Sequence, residues 1–369
     1  VNLPAGAAGS SVALADYAGT WQTSNVTVSP NGTEKIGGIA ADLTLNTEGQ
    51  SVTFVYIDST QGWLNVQDST SNERATTYIA ATGGNQPTAT GCVVCTNYKV
   101  HKFTSPGTFT ITAGAGPAAK LDYLVMAGGG GGGGGEPGYY SGGGGGAGGF
   151  RESKTSSVSG CWSASPLASS TPLGPFTGPT AIPVTVGGGG AAGTSNNPGC
   201  SATAGGAGNP SVFSTITSTA GGGGGKSTGC TGTPGSAPAR YGQPGGSGGG
   251  SGGGGCNPIG NGNTPSVSPP QGQNGGKGSV PSAGAGGGGG GAGGAGETWP
   301  GPVGGGCAQG GPSVTSHIIG SPVAYAEGGT DSTGSDGAVN TGKGGGSNAT
   351  PGTAGAGGSG IVIIRYKFQ

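Results

Sequence analysis

Through its first 82 residues the chain alternates apolar and polar positions, as in "NVTVSP" (25–30), "LTLNTEG" (43–49) and "SVTFVYID" (51–58). Turn formers such as "NG", "EG" and "QGW" separate these segments. Together they predict a compact all-β unit over 1–82, of roughly six short strands. No 3.6-residue period occurs anywhere, so no α-helix is expected. Residues 83–97, "GGNQPTATGCVVCTN", read as a linker, and "YKVHKF", "TFTITA" and "AKLDYLVMA" predict a β base over 98–126. From 127 to 360 glycine runs alternate with polar inserts, and "IVIIRYKFQ" (361–369) closes the chain as a strand. Three inner segments share that form, an apolar stretch running straight into glycine: "AIPVTVGGGG" (181–190), "SVFSTITSTAGGGGG" (211–225) and "HIIGSPVAYAEGG" (317–329).

The main runs are 128–135, 142–149, 187–190, 221–225, 245–255, 284–296 and 342–346. Glycine has no side chain with which to fill a core, so the backbone must itself be the building material. In polyproline II geometry there are three residues per turn and no internal hydrogen bonds. With glycine on all three faces, neighbouring helices can approach until their amides bond directly. A strict G-X-Y period is absent, which excludes collagen. Fully glycine runs are expected in the middle of such a stack, whereas "GGGGGAGG" (142–149) is expected on its outside. Ordering eight residues costs ~8–16 kcal/mol, and eight inter-helix hydrogen bonds return ~4–12 kcal/mol. The balance near zero calls for anchors, and the β base, disulfides and many stacked neighbours are the available ones. The expected fold is thus an all-β N-terminal domain, a β-rich base and a polyproline II (polyglycine II) sandwich.

If runs alternate up and down from the base, segments 150–186, 209–220, 256–283 and 307–327 lie at the base. Segments 136–141, 194–204, 226–244, 297–303, 330–336 and 347–353 then gather at the far end. That end collects Tyr139, Tyr140, Arg240, Tyr241 and Trp299, residue types that recognition surfaces use, including stacking on sugar faces. Capping the glycine helices is the competing role for the same rings. Cys200 and Cys230 both fall in far-end inserts and are a candidate disulfide.

Composition narrows the classes. Gly (96) and Pro (26) make up about a third of 369 residues, yet charged residues are only 7% and the formal net charge is −1. Disordered chains resist collapse through charge, which is scarce here, and phosphate binding needs clustered Lys and Arg. Nucleic acid is therefore not an expected partner. No apolar stretch is long enough to span a membrane, and "VNLPAGAAGSS" lacks the layout of a signal peptide. Seven cysteines form an odd set. Cys92 and Cys95 make a single CxxC, and with two His in the chain a local disulfide or two free thiols is the reading preferred over zinc.

Other motifs dissolve on inspection. The many GxGxxG matches lack the strand–turn–helix context of a dinucleotide site, and "GGGGGKST" (221–228) lacks the helix that follows a P-loop. Asn25, Asn31 and Asn348 sit in N-x-[ST] sequons. His101 and His317 lie in β-like stretches and read as structural. Asp331 and Asp336 are loop carboxylates that could touch a cation at the far end, though solvation is the reading preferred. No catalytic residue, metal or cofactor is assigned.

Residues 12–63, "VALADYAGTWQTSNVTVSPNGTEKIGGIAADLTLNTEGQSVTFVYIDSTQGW", resemble a β domain of bacteriophage tail-fibre proteins. The series "YKVHKFTSPGTFTI", "LDYLVMAGGGGGGGG", "GGFRES", "PVTVGGGG", "SVFSTITSTAGGGGG" and "GGSGIVIIRYK" resembles the glycine-rich domain of phage tail fibres and adhesins. The resemblance implies a homotrimeric virion fibre, assembled in bacterial cytoplasm and joined to upstream tail-fibre or baseplate proteins. Its variable distal loops would bind a host glycan or outer-membrane protein. Alternatives are a purely structural fibre subunit, an ice-binding protein, or a polysaccharide depolymerase, which would need paired carboxylates in a cleft.

Overall fold

The computed structural model describes residues 1–69, 78–85, 90–114, 116, 119–136, 140–195, 202–227, 237–254, 258–279, 284–299, 307–331, 334–348 and 352–369. The chain divides into two compact units, Val1–Thr76 and Thr77–Gln369.

In the first unit, alternation in "SVTFVYID" buries Val52, Phe54 and Tyr56 on one face of strand Ser51–Asp58. That strand is the middle of an antiparallel three-stranded sheet, between Ser11–Ala15 and Gly62–Ser69. A smaller pair, Val26–Val28 with Leu43–Leu45, adds Val28 and Leu45 to the same core around Trp63. Strand Ala80–Thr82 pairs instead with Gly107–Ala113 in the second unit.

The base of the second unit is built from two sheets. One has six strands, in the order Ala168–Ser169, Phe150–Ser153, Asp122–Met126, Ile361–Lys367, Tyr98–Phe103 and Cys92–Val94. The other has five, in the order Ile216–Ser218, Ser211–Phe213, Thr180–Thr185, Gly107–Ala113 and Ala80–Thr82. Four consecutive apolar residues, Ile361 to Ile364, are explained because both faces of their strand are covered. Val362 and Ile364 enter a core with Phe109, Ile111 and Phe213 between the sheets. Ile361 and Ile363 enter a second core with Leu124, Met126 and Phe150. Residues 83–97 are more than a linker, since Cys92–Val94 forms an edge strand paired with Tyr98–Phe103. One helical turn, Ser156–Ser159, and one 3₁₀ turn, Ala237–Arg240, are the helical elements among the described residues.

The glycine runs rise from this base and return to it, held by backbone hydrogen bonds with a period of three. Gly128, Gly131 and Gly134 donate to Asn209, Gly206 and Thr203 (3.0, 2.9 and 2.9 Å). Gly129 and Gly132 donate to Gly358 and Gly355, and Gly130 and Gly133 to Gly146 and Gly143. The carbonyls of the same run accept from 187–193, 219–227 and 342–348. Run 127–135 therefore donates to three antiparallel neighbours and accepts from three parallel ones, as a three-fold helix surrounded by six others must.

Runs 141–149, 247–254 and 284–292 are enclosed by six neighbours in the same way. These four lie within the chain's four longest glycine-rich tracts, 128–135, 142–149, 245–255 and 284–296, so the longest glycine-rich sequence does take the middle. Run 142–149 was expected outside and is central instead. Its Ala147 is fully buried because it lies at the base, where its methyl joins Phe150 and Ala292 in the apolar core. Two central serines are accommodated because their hydroxyls replace a backbone partner: Gly286 N–H donates to Ser141 Oγ (2.8 Å) and Gly278 N–H to Ser251 Oγ (2.9 Å).

Two tracts that read as single runs each reverse at the base. Runs 240–246 and 247–254 fold about Gly246, and Gly291 N–H donates to Gly294 at the other reversal (3.0 Å). Segment 256–283, expected wholly at the base, contains runs 258–264 and 271–279, which span the bundle.

Candidate functional site

The site built from the sequence is the end of the bundle remote from the base. Tyr140 sits where central runs 127–135 and 141–149 meet, and its backbone pairs with that of Glu136 (2.8 and 3.4 Å). Arg240 and Tyr241 begin run 240–246, where the Arg240 carbonyl accepts from Gly252 and the neighbouring Ala239 carbonyl accepts from Lys226. Trp299 ends run 294–299 and donates its N–H to Lys277 (2.9 Å). All four side chains are half-buried.

These candidates share one end of the bundle without forming one patch. Run 240–246 adjoins 258–264, which adjoins 271–279, which adjoins 294–299. Two runs thus separate Arg240 from Trp299, and Tyr140 stands over the central pair. Tyr139, Cys200 and Cys230 lie outside the described residues. Cys92, Cys95, Cys161 and Cys307 are free and exposed. Extended backbone through Cys92–Val94 carries Cys92 and Cys95 apart at ~3.3 Å per residue, beyond the ~7 Å at which two Cα atoms can be bridged.

Of the two loop carboxylates expected in solvent, Asp331 is enclosed by the bundle, whereas Asp336 is exposed. Asp331 is buried and accepts from Ser347 Oγ (3.0 Å), and Asp336 accepts from the N–H of Ala356 (2.8 Å). Glu297 accepts from the N–H of Gln309 (2.8 Å). Among the described residues no group of three His, Cys, Asp or Glu side chains could hold a metal ion.

Sequence reading missed a buried polar cluster at the base. Asp122 accepts from Ser153 Oγ (2.8 Å), Thr155 N–H (2.7 Å) and Ser159 Oγ (2.6 Å). Glu152 accepts from the Ser165 N–H (2.8 Å) and from the Ser316 hydroxyl. Burial pushes the Glu152 carboxyl above its usual range, against the downward pull of those hydrogen bonds. Burial raises the Tyr325 phenol as well, helped by the charge of Glu152.

Arg365, fully buried, donates to the carbonyls of Ser159 (2.9 Å) and Ile318 (2.8 Å) and lies between the rings of Tyr98 and Trp162. His101 is structural, as expected. Its Nδ1–H donates to Gly83 O (2.7 Å), which leaves Nε2 to accept from the Tyr366 hydroxyl (3.0 Å). Burial lowers its pKa. The one signal for this cluster was acidic and basic residues inside otherwise apolar strands, "LDYLVM", "FRES" and "IVIIRYK".

No curated protein matches the chain. A family model described as a glycine-rich domain matches residues 104–367. That span is well over half of the chain and takes in most of the base and the whole bundle, so the protein belongs to this glycine-rich domain family.

Proposed function

We propose that this chain is the receptor-binding tip of a bacteriophage tail fibre, attaching the virion to a glycan or outer-membrane protein of its bacterial host. In this reading it acts as a homotrimer joined to upstream tail proteins and performs no catalysis. The observation that carries the reading is the enclosure of runs 127–135 and 141–149 by six hydrogen-bonded neighbours each. Such a lattice holds the chain ends beside Tyr140, Arg240, Tyr241 and Trp299 stiff, and stiff recognition elements lose less entropy on binding. The likeness of residues 12–63 and of the ordered glycine motifs to phage fibre proteins supports the same assignment.

Adsorption tests it. Deletion of 297–303, or exchange of 226–244 for an unrelated insert, is expected to abolish binding to host cells while leaving the particle intact. Unchanged adsorption and host range would reject the far end as the reader and leave a purely structural fibre segment.

A further inference from the structure

Runs 187–193 and 203–209 are antiparallel neighbours: Thr203, Gly206 and Asn209 donate to the carbonyls of Thr194, Ala191 and Gly188 (3.0, 2.8 and 2.9 Å). Central run 127–135 fills the slot on the inner side of this pair. Its Gly129 and Gly132 carbonyls accept from Gly190 and Gly193 (both 2.8 Å), and its Gly128, Gly131 and Gly134 donate to the carbonyls of run 203–209. Two adjacent runs of a hexagonal lattice share a second such slot, on their outer side.

That outer slot carries the same kinds of group. With three residues per turn, Gly188 and Ala191 share a face, and their exposed N–H groups donate to no described residue. The carbonyls of Ala204 and Ala207 on the adjoining run accept from no described residue. Gly206 keeps the donor row open, since a Cβ there would stand 3.1 Å from the Ala191 nitrogen. Elsewhere on the perimeter, side chains cover outward amides: Asn274 Oδ1 accepts from Gly262 (2.8 Å), Thr298 Oγ1 from Lys277 (3.2 Å) and Asp336 Oδ1 from Ala356 (2.8 Å). On run 187–193 such cover is confined to the ends, where Ser211 Oγ accepts from Gly187 and Thr203 Oγ1 from Thr194 (both 2.9 Å). An uncovered row of backbone donors is an edge to which another chain can add, as strands do in β-augmentation.

The rows prescribe the occupant. It must be an extended polyproline II segment that turns carbonyls to run 187–193 and N–H groups to run 203–209. In the inner slot a Cβ on Gly128 or Gly131 would lie 2.0 Å from the carbonyl oxygen of Gly188 or Ala191, so a segment seated against this pair must be rich in glycine. The described glycine runs of this chain are bonded into its own lattice, which leaves a different protein as the source. We propose that the outer slot between runs 187–193 and 203–209 docks a glycine-rich segment of another protein, added to the lattice as a further polyproline II helix. The slot lies along the flank of the bundle, apart from Tyr140 and Trp299 at the far end, so its occupation is independent of the receptor reading.

The test is residue-resolved hydrogen exchange on the full-length protein, with and without an oligoglycine peptide carrying a lysine at each end for solubility. Saturating peptide is expected to slow exchange at Gly188 and Ala191 at least ~10-fold. The variant Gly188→Pro/Ala191→Pro deletes both donors. Proline suits polyproline II geometry and neither N–H has an internal partner, so the unfolding midpoint and the homotrimer should be unchanged while peptide affinity falls at least ~10-fold. An all-proline peptide of the same length keeps its carbonyls but has no N–H for Ala204 and Ala207, and should bind more weakly. Unchanged exchange at Gly188 and Ala191 in the wild type would overturn the proposal whatever the variant does, as would equal peptide affinity in a folded variant. Equal binding of the all-proline peptide would overturn the choice of a glycine-rich occupant. Loss of the trimer in the variant would assign the slot to a second copy and overturn the choice of partner.

Discussion

Gly130 and Gly146 join two of the central runs, 127–135 and 141–149, by a direct backbone hydrogen bond (2.8 Å), and neither residue has room for a side chain. A Cβ on Gly130 would lie 2.2 Å from the carbonyl oxygen of Gly222, far inside van der Waals contact. Gly130→Ala must therefore push two bonded runs apart, and overpacking of this kind costs about 1–3 kcal/mol or more. Gly188, on an outer run, would place its Cβ no nearer than 3.8 Å to any neighbour. Gly188→Ala is expected to change stability by less than about 0.5 kcal/mol. Denaturant midpoints of the two variants check the contrast, and equal effects would contradict a lattice set by backbone approach.

A second prediction concerns the buried charges. Asp122 and Arg365 are register partners on adjacent strands, yet Ser159 joins them: its hydroxyl donates to the carboxylate and its carbonyl accepts from the guanidinium. The planar fork also reaches Ile318 O and lies between two rings, which a lysine ammonium cannot reproduce. At about 1.5–3 kcal/mol for each charged hydrogen bond lost, Arg365→Lys is expected to lower stability by at least ~2 kcal/mol despite keeping the charge. Thermal or chemical unfolding measures it.

Two buried titrating groups give opposite pH trends. His101 has a folded pKa below its usual 6.5 because burial disfavours the cation. The unfolded chain then binds the extra proton, and the stability contributed by neutral His101 is full above about 6.5 and falls as pH drops below it. Glu152 has a folded pKa above 4.5 because burial disfavours its carboxylate. Its penalty is absent below about 4.5 and grows as pH rises toward the folded value. Replacing the histidine by His101→Gln should flatten the loss of stability just below pH ~6.5. An unchanged pH profile in that variant would assign the titration elsewhere.

Thiol labelling offers a further check. Cys92, Cys95, Cys161 and Cys307 are exposed and free, and exposed thiolates are the reactive form. Native protein should incorporate an alkylating reagent at these four positions without denaturant, as read by peptide mass mapping. Protection of Cys92 and Cys95 together would indicate a local disulfide that the extended strand geometry disfavours.

Several features are legible in the sequence itself. The β base with its closing strand could be read from "LDYLVMA" and "IVIIRYKF", because long β-branched and aromatic runs have few other uses. The polyglycine stack followed from tracts in which no side chain exists to do the packing. Less legible was where each run turns back. Glycine carries no side-chain period, so "GGSGGGSGGGG" (245–255) gives no sign that the chain reverses near Gly246. The position of 142–149 was misread because Ala147 looked like a surface interruption, when its methyl fills an apolar gap at the foot of the bundle. The buried roles of Asp122, Glu152 and Arg365 were equally invisible, since charge in a strand marks an exposed face as readily as an enclosed one.

By itself the sequence determined what kind of interaction holds the interior of the second unit together: peptide groups in the glycine runs, aliphatic and aromatic side chains at their foot. Only the tertiary structure decided which run neighbours which, because every glycine amide is the same donor and every carbonyl the same acceptor. The order of the lattice is imposed from the base, whose strands fix where each run departs and returns.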